Sequence, residues 1–458
     1  MNTLYDILNE ASNLLWGWPM VILLFGTHVY LTVILRFPQR HIFTAIRLSV
    51  RKDPGATGDV SQFGSLTTAL AATIGTGNII GVATAITLGG PGAVLWCWLT
   101  GALGISTKYA EGVLAIKYRV KTKRGRMLGG PMYALERGLG WKWLAVLFAL
   151  FTAFAALGIG NTVQSNAIAT LAYETYHIDH VVTGIVISLL AGSVLLGGIR
   201  SIARVCKLFV PFMALFYVLG CLYILCLNAD YLWPAVKLIV HSAFSPEAAG
   251  GGFVGTTVMI TARYGIARGL FSNESGMGSA PIVAAAAQTR NPVRQALVSS
   301  SGTFWDTVII CAITGIVIVS SVLAHPDIDF ADGATLTNAA FSKIPYVGSH
   351  FLTFALLTFS FSTILGWYYY GERAIDYLRG QRWVIGYRVI YIVATLLGSI
   401  VELGIVWNFA DCMNALMAIP NLISLVFLSG IIVSETRKYL WSGQLDREME
   451  QQEYQITA

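Results

Sequence analysis

Long apolar stretches separated by short polar connections dominate this chain. About 20 consecutive apolar residues are enough to span the hydrocarbon core of a bilayer as a helix. The length of these stretches and their polar ends predict eleven transmembrane helices, near residues 15–35, 63–88, 92–116, 141–170, 181–198, 206–227, 248–270, 294–322, 348–371, 384–407 and 411–435. The pattern therefore predicts an all-α integral membrane protein.

The second predicted span contains a sequence that a helix interior disfavours. Gly75 and Gly77 flank Thr76, and Asn78 follows them. Glycine weakens a helix, and in a bilayer the released N–H and C=O groups have no water to bond. An unwound stretch survives there only beside protein, a cavity or a ligand. We expect a break that forms a binding site. For a glycine pair alone, the alternative is close packing of helices.

A second glycine-rich stretch, at residues 250–257, lies in the seventh span. Spans two to six and seven to eleven then form two sets of five, and because five is odd the sets enter the membrane from opposite sides. Paired broken helices in inverted halves are typical of secondary transporters. The predicted organisation is an extra N-terminal helix with a basic loop (1–62), a first five-helix repeat (63–227), a second, inverted five-helix repeat (228–435) and a polar cytoplasmic tail (436–458). We expect disorder in that tail from Ser442 onward.

Basic residues alternate sharply between the connections. Lys and Arg are concentrated in the odd-numbered connections and after the last span, whereas the even-numbered ones hold only Lys237 and Lys343. The positive-inside rule then predicts an N-terminus outside and a C-terminus in the cytoplasm.

The composition fits a membrane protein, because 12% of residues are charged against about 25% in soluble domains. No nucleic-acid surface, obligate protein partner or cleavable signal peptide is indicated, and membrane lipid is the expected surrounding.

A broken helix exposes two half-helix ends near the middle of the membrane. The second half presents N–H groups and a positive dipole, so we expect the amides of Thr76 and Gly77 beside a carboxylate. The first half presents carbonyl oxygens, so we expect those of Ala71 and Ile74 beside Na⁺. The side chain of Asn78 can bond either ligand.

Polar side chains in later spans could complete these sites. The hydroxyl groups of Ser362 and Thr363 could add oxygens around Na⁺, or they could bond carbonyl groups of their own helix. Gln164 and Asn166 could line the site or form hydrogen bonds between helices.

Aromatic and ionisable residues of the spans have several interpretations. Phe253 and Trp367 are large enough to close a small cavity, although isolated aromatic residues more often pack or lie at the membrane interface. Three ionisable residues lie deep in the spans: Arg263, Asp306 and Glu402. We interpret them as gating or structural pairs rather than proton relays. Because no acid lies beside the break in the second span, we expect an ammonium group to meet carbonyls, Asn78 or Gln164.

Four sequence blocks resemble the alanine/glycine:cation symporter family, also called sodium:alanine symporters. They are TIGTGNIIG (73–81), GGPGAVLWCW (89–98), TKYAE (107–111) and RGLFSNESGMGSAP (268–281). The resemblance covers residues 16 to 434. This chain departs from the family where it has Leu95, Cys97 and Ser275 instead of Phe, Met and Ala.

The resemblance implies a leucine-transporter-like inverted-repeat fold with one extra N-terminal helix and two discontinuous helices. It implies uptake of alanine or glycine, coupled to Na⁺ with H⁺ as the alternative, in a bacterial or archaeal cell membrane. The implied substrate positions are Thr76, Gly77, Asn78, Gln164, Phe253, Thr363 and Trp367. The implied cation positions are Ala71, Ile74, Ser362 and Thr363. Residues 272–280 are expected to form a cytoplasmic gate or turn rather than a substrate contact.

Two other classes of protein are disfavoured. A channel would need a continuous polar pore, and the sequence has no repeated filter motif or ring of acids. An intramembrane enzyme would need a nucleophile or metal constellation, and the sequence contains neither HExxH nor GxSxG. We therefore predict a secondary transporter, not an enzyme.

Overall fold

Helices account for nearly all of the described chain. The structure is a computed structural model that describes residues 2–51, 53, 55–123, 125–245, 257–328, 333–343, 348–401 and 404–449. The α-helices in this part of the chain are α1 (Asn2–Leu15), α2 (Trp18–Ile34), α3 (Ile42–Val50), α4 (Gln62–Thr73), α5 (Val82–Gly89), α6 (Ala93–Lys117), α7 (Pro131–Gly138), α8 (Lys142–Leu157), α9 (Val163–Tyr176), α10 (His180–Leu195), α11 (Gly198–Leu227), α12 (Ala229–Phe244), α13 (Val258–Asn273), α14 (Ala280–Ala284), α15 (Pro292–Thr303), α16 (Ala312–Ala324), α17 (Gly333–Ser342), α18 (Gly348–Arg379), α19 (Gln381–Ile400), α20 (Gly404–Phe427) and α21 (Ser429–Thr436). Strands β1 (Val120–Lys121) and β2 (Met127–Leu128) pair in antiparallel register.

Several of these helices are suited to a membrane. Within the described residues, seven helical segments are long and apolar enough to cross a bilayer, and a bent pair that includes α4 and α5 makes eight. Ten of the predicted spans fall on helices, and the seventh, 248–270, is described only from residue 257. The nearly all-helical membrane fold is therefore confirmed, and the number of eleven crossings stays a prediction.

The predicted break in the second span coincides with a change of direction. α4 ends at Thr73, and the helical segment Gly77–Gly89 continues at an angle of 57° to it. The Asn78 side chain stabilises this bend, because its Oδ1 accepts a hydrogen bond from the Gly75 amide at 2.9 Å. One backbone donor released by the break is thereby satisfied. The second predicted break, at 250–257, lies outside the described residues except for Thr257.

Two other spans contain π-helical turns. Gly158–Thr162 joins α8 to α9, and Phe304–Cys311 joins α15 to α16. Such turns inside helices are frequent at functional sites. Gly160 is required in the first turn, because a Cβ there would lie 2.2 Å from the Cβ of Trp367. The second turn packs against the residues that follow the break in the second span.

Glycines let several helices approach each other closely. A Cβ on Gly366 of α18 would lie 2.6 Å from the Ala72 amide nitrogen in α4. A Cβ on Gly265 of α13 would lie 2.5 Å from the Ala93 carbonyl oxygen in α6. Small residues at helix contacts are typical of membrane proteins. The contact at Gly366 places the end of α4 beside the middle of α18.

The chain beyond Ser442 packs on the protein as far as Met449, so the expectation of disorder is wrong for these residues. Asn291 Nδ2 donates hydrogen bonds to the carbonyl oxygens of Leu445 and Arg447, at 2.8 and 2.9 Å. The polar composition predicted disorder because it offers little apolar surface to bury. In the structure, carbonyl groups of this segment instead accept hydrogen bonds from Asn291, which lies in a distant connection of the chain.

Candidate functional site

Four oxygen atoms from two helices converge beside the break. Ser362 Oγ in α18 lies 3.1 Å from the carbonyl oxygen of Ala71, and Thr363 Oγ1 lies 3.5 Å from that of Ile74. Both carbonyls lie at the C-terminal end of α4, where carbonyl groups accept no hydrogen bond from an N–H group of the same helix. All four residues are buried. The structure thus brings together the four residues that were predicted to bind a cation.

Both hydroxyl groups also lie near a carbonyl of their own helix. The Phe359 carbonyl oxygen is 2.8 Å from Ser362 Oγ and 3.0 Å from Thr363 Oγ1. A hydroxyl group has one hydrogen and two lone pairs. If each donates its hydrogen to Phe359, the lone pairs remain available for a cation. The two interpretations drawn from the sequence are therefore compatible in this geometry.

A small polar cavity adjoins these oxygens. Its volume is about 20 Å³, which is room for about one water molecule. Five of the seven predicted substrate residues are among the residues that line it: Ala72, Thr73, Gly75, Thr76, Gly77, Ile159, Gln164, Phe271, Glu274, Thr363, Trp367 and Asn414. An amino acid is larger than one water, so the walls must separate before such a ligand can enter.

One wall of the cavity is the start of the helical half that follows the break. Thr76 and Gly77 fall in its first turn, where N–H groups have no intrahelical acceptor. The helix dipole adds partial positive charge at this end. A carboxylate is therefore the group that this wall suits best.

The two amides of the fourth span have different surroundings. Gln164 lines the cavity, where its Nε2 donates to the Ile159 carbonyl oxygen at 3.1 Å and its buried Oε1 has no protein partner among the described residues. Asn166 Nδ2 instead donates to the carbonyl oxygens of Gly398 and Val401 in or beside α19, at 3.1 and 3.3 Å. Gln164 thus offers an acceptor to a ligand, and Asn166 links two helices.

Asn78 supports the break and does not line the cavity. Its Nδ2 donates to Asp306 Oδ1 at 2.7 Å and to Ser272 Oγ at 2.9 Å, while its Oδ1 accepts from Gly75. Asp306 is therefore a structural partner of the broken helix. This placement differs from the predicted direct contact of Asn78 with a ligand, because neighbouring polar groups already occupy its amide.

An acid reaches the cavity, although none was expected near the break. Glu274 follows α13 directly, is only 4% exposed and lines the cavity. Its Oε1 accepts a hydrogen bond from Trp367 Nε1 at 3.1 Å, and its Oε2 accepts one from Ser279 Oγ. Residues 272–280 are predicted to form a gate or turn rather than a substrate contact, and this stays a prediction, although Glu274 lines the cavity.

The conformation of this connection explains how Glu274 reaches the cavity. Glu274, Gly276 and Gly278 have φ angles of 53°, 90° and 85°, in the left-handed region that glycine adopts readily. Glu111 of α6 fixes the turn, because its Oε1 accepts hydrogen bonds from the Gly276 and Gly278 amides, both at 3.0 Å. The predicted structural turn is therefore present, and it carries a site residue.

Two aromatic residues close the cavity. Trp367 is one of the predicted pair, and Phe271, from the last turn of α13, is the other aromatic in the cavity wall. Phe253 lies outside the described residues, as does Glu402. Phe271 also faces the break, because a Cβ on Gly77 would lie 3.2 Å from its ring. Phe271 and Glu274 are three residues apart, and residues at this spacing lie on the same side of a helix. This spacing is the feature of the sequence that could have predicted that both line one site.

Arg263, the last of the three ionisable residues that were predicted to lie deep in the spans, is not among the residues that line the cavity. Its guanidinium carbon is 5.6 Å from the centre of the neighbouring Tyr264 ring. That distance fits a cation–π contact, so the residue has a local structural role.

Apolar spanning helices, a broken helix with exposed half-helix ends and a polar cavity beside oxygen ligands define a secondary transporter rather than an enzyme. The solved structure of MhsT in complex with L-phenylalanine has the same fold, with a TM-score of 0.53, 14% sequence identity and coverage of 83% of this chain and 98% of that chain. The fold is accordingly leucine-transporter-like, as the sequence resemblance implied.

The chain belongs to the sodium:alanine symporter family, whose model matches residues 1–454. It is 52% identical over 442 residues to an uncharacterized transporter of Haemophilus influenzae, with 95% of this chain and 96% of that protein covered. It is 48% identical over 442 residues to the sodium/alanine symporter AgcS of Methanococcus maripaludis, with 95% and 97% covered. The predicted family is therefore confirmed, and Na⁺-coupled symport of an amino acid is the activity class that the family defines.

Proposed function

We propose that this chain imports alanine or glycine together with Na⁺ by alternating access. The observation that carries the proposal is the convergence of the Ala71 and Ile74 carbonyls with two hydroxyl groups of α18, directly beside the polar cavity. Oxygen ligands suit a hard cation such as Na⁺. Na⁺ is a transported substrate here, and its positive charge would favour a carboxylate bound next to it.

The cavity has chemically different ends that match a zwitterion. The Thr76 and Gly77 amides suit the carboxylate of an amino acid. The ammonium group would meet the Glu274 carboxylate and two buried acceptors without protein partners among the described residues, Gln164 Oε1 and Asn414 Oδ1. This assignment replaces the contact with Asn78 that we expected from the sequence.

The small size of the cavity favours a small side chain. Trp367 and Phe271 leave room for about one water in the closed arrangement, so only a modest separation of the walls is needed for glycine or alanine. A larger side chain would have to displace an indole that Glu274 holds by a hydrogen bond.

The small volume of the cavity supports alternating access as the mode of transport, because the walls must separate before an amino acid can enter. We place the N-terminus outside and the C-terminus in the cytoplasm, with residues 63–227 and 228–435 as two inverted repeats around the cavity. Entry of one net positive charge across 100 mV contributes about 2.3 kcal/mol. The Na⁺ concentration gradient adds to this driving force, and together they favour uptake.

Uptake into proteoliposomes tests the proposal. We expect accumulation of radiolabelled alanine and glycine when Na⁺ is high outside and low inside, and little uptake with K⁺ in place of Na⁺. A proton gradient imposed without Na⁺ is the matched control. Uptake that follows the proton gradient and does not depend on Na⁺ would refute Na⁺ as the coupling ion. If neither amino acid is taken up, the assignment of alanine or glycine as the substrate is refuted.

Gly366→Ala is expected to lower the apparent Na⁺ affinity of uptake by about tenfold. The added Cβ would lie 2.6 Å from the Ala72 amide nitrogen, so α18 must move away from α4, at a cost typical of an overpacked contact. The four oxygens would then separate. The measurement is alanine uptake as a function of Na⁺ concentration.

The matched control is Gly386→Ala in α19, where an added Cβ meets no atom within 4 Å. This variant should keep the Na⁺ dependence of the unmodified protein. If Gly366→Ala behaves in the same way, close contact of α4 with α18 is not required for Na⁺ binding.

A further inference from the structure

The C-terminal residues 444–449, called the C-terminal strap below, join two connections that lie far apart in the sequence. One is the connection between α3 and α4, with Arg51 and Asp53. The other leads into α15, with Arg290 and Asn291, and Arg294 lies in the first turn of that helix. None of these contacts forms part of the substrate cavity or the cation site.

Ion pairs hold the two connections together at this point. Asp53 lies 2.6 Å from Arg290 Nε and 3.3 Å from Arg294 Nε. The Arg294 side chain is only 1% exposed. A buried guanidinium needs carboxylate partners, because desolvation of an unpaired charge is costly.

Asp446 of the strap supplies the second carboxylate. It pairs with Arg294 and also lies 3.7 Å from Arg51. Asp446 therefore bridges Arg51, which directly follows α3, and Arg294 in the first turn of α15. Without Asp446, Arg51 and Arg294 would lose the carboxylate that they share, and Asp53 alone would remain as the partner of Arg290 and Arg294. The loss would weaken the link between the two connections.

Backbone hydrogen bonds attach the strap independently of its charge. Asn291 Nδ2 donates to the Leu445 and Arg447 carbonyl oxygens, and the Met449 amide donates to the Arg290 carbonyl oxygen at 2.8 Å. The same Asn291 is the N-cap of α15, because its Oδ1 accepts from the Arg294 amide at 3.0 Å. The strap is thus seated on the beginning of α15.

The chain before α4 and the chain before α15 also meet directly. The Asp59 and Val60 amides donate to the Ala286 carbonyl oxygen, at 2.8 and 3.1 Å, and the Gln288 amide donates to the Val60 carbonyl oxygen at 2.7 Å. Beyond this contact, Ser65 of α4 donates to the Val283 carbonyl oxygen. α4 runs from this contact to the break beside the cavity, so these hydrogen bonds tie the start of α4 to the chain before α15.

We propose that the C-terminal strap is a latch that holds this face closed and slows its opening. The proposal rests on the proposed function in one respect, namely that transport requires this face, taken as the cytoplasmic one, to open and close. The strap acts by binding Arg51 and Arg294 of the same chain through Asp446. Release of the strap shifts the population towards the arrangement that is open on this face.

A cysteine placed at Ser65 reports the opening. The variant Ser65→Cys is made in a Cys226→Ser background, because Cys226 is the one exposed cysteine among the described residues and the other five are buried. A membrane-impermeant maleimide is applied to vesicles of each orientation, and the rate of labelling is measured. Truncation after Ser442 should raise the labelling rate from the C-terminal side by about threefold to fivefold.

Three point variants separate the latch from general effects on the tail. Asp446→Asn removes the bridging charge, and Asn291→Ser keeps an N-cap acceptor for α15 but loses both donors to the strap. Both should raise the labelling rate. Glu448→Gln removes one negative charge from an exposed position of the strap that makes no ion pair among the described residues, and it should leave the rate unchanged.

The proposal is overturned if the truncated protein, folded by size-exclusion chromatography, is labelled at the same rate as the full chain. If truncation prevents folding, equal rates for Asp446→Asn, Asn291→Ser and Glu448→Gln overturn it. Failure of the proposed function gives a different result, because the unmodified protein would then lack Na⁺-dependent uptake whatever the labelling rates are.

Discussion

Most Na⁺-driven uptake should be lost at low Na⁺ when Thr363 is replaced by valine. Valine has nearly the same shape as threonine but lacks Oγ1, which lies 3.5 Å from the Ile74 carbonyl oxygen. Loss of one polar partner of a charged group costs about 1.5–3 kcal/mol. The apparent Na⁺ affinity should therefore fall by about 10-fold to 100-fold, measured as alanine uptake over a range of Na⁺ concentrations at saturating alanine.

Thr358→Val is the matched control in the same helix. The Thr358 hydroxyl bonds carbonyl groups of its own helix, at 3.0 Å from Phe354 and 2.9 Å from Ala355. Its removal should change the Na⁺ dependence little. Because Thr363 also lines the cavity, its variant could instead lose affinity for alanine at an unchanged Na⁺ affinity. That result would assign Thr363 to the amino acid and remove it from the cation site.

The cation site could be predicted from the sequence because its signals are local. Glycines in an apolar span indicate where a helix must release its carbonyl groups. Adjacent hydroxyl residues in another apolar span indicate further oxygens of the same chemical type. The structure places the hydroxyl groups of Ser362 and Thr363 beside the carbonyl oxygens of Ala71 and Ile74. The glycine break and the pair of hydroxyl residues, each recognised locally in the sequence, therefore predicted oxygens that lie close together in the structure.

The acid in the cavity could not be predicted in this way, because it arrives from a distant part of the chain. Asn78 and its partner Ser272 are separated by 194 residues. Glu274 follows Ser272 in a stretch that the sequence predicts to be a cytoplasmic connection. Its direction depends on two glycines with positive φ and on Glu111 from α6. Apolar periodicity carries no information about such a turn.

The C-terminal segment shows the same limit of local patterns. Its polar composition predicts disorder, yet Arg294 and Asp446, 152 residues apart, form an ion pair. The segment is held by charges and backbone acceptors rather than by apolar burial. The composition of a segment indicates how much apolar surface it can bury, but it does not show which distant residues will pair with its charges and backbone.

Glu274→Gln should weaken the apparent affinity for alanine by at least about 30-fold, because loss of one partner from a buried charge pair costs about 2–5 kcal/mol. Glutamine has the size of glutamate and keeps an acceptor for Trp367 Nε1, which bonds the carboxylate at 3.1 Å. The change therefore removes the charge that we assign to the ammonium group and leaves the cavity shape nearly intact. Competition between radiolabelled alanine and unlabelled lactate measures the effect directly.

Lactate carries a hydroxyl group where alanine carries the ammonium group, so it separates a charge effect from a packing effect. The unmodified protein should prefer alanine strongly, and in Glu274→Gln the preference should fall by the same factor as the alanine affinity. Ser279→Ala removes the other hydrogen bond to Glu274 but keeps its charge, and it should retain the preference for alanine. If Ser279→Ala loses as much affinity as Glu274→Gln, the carboxylate stabilises the turn rather than the substrate. A turn that merely loosened would weaken alanine and lactate alike, whereas a lost ion pair weakens only the ligand that carries the positive charge.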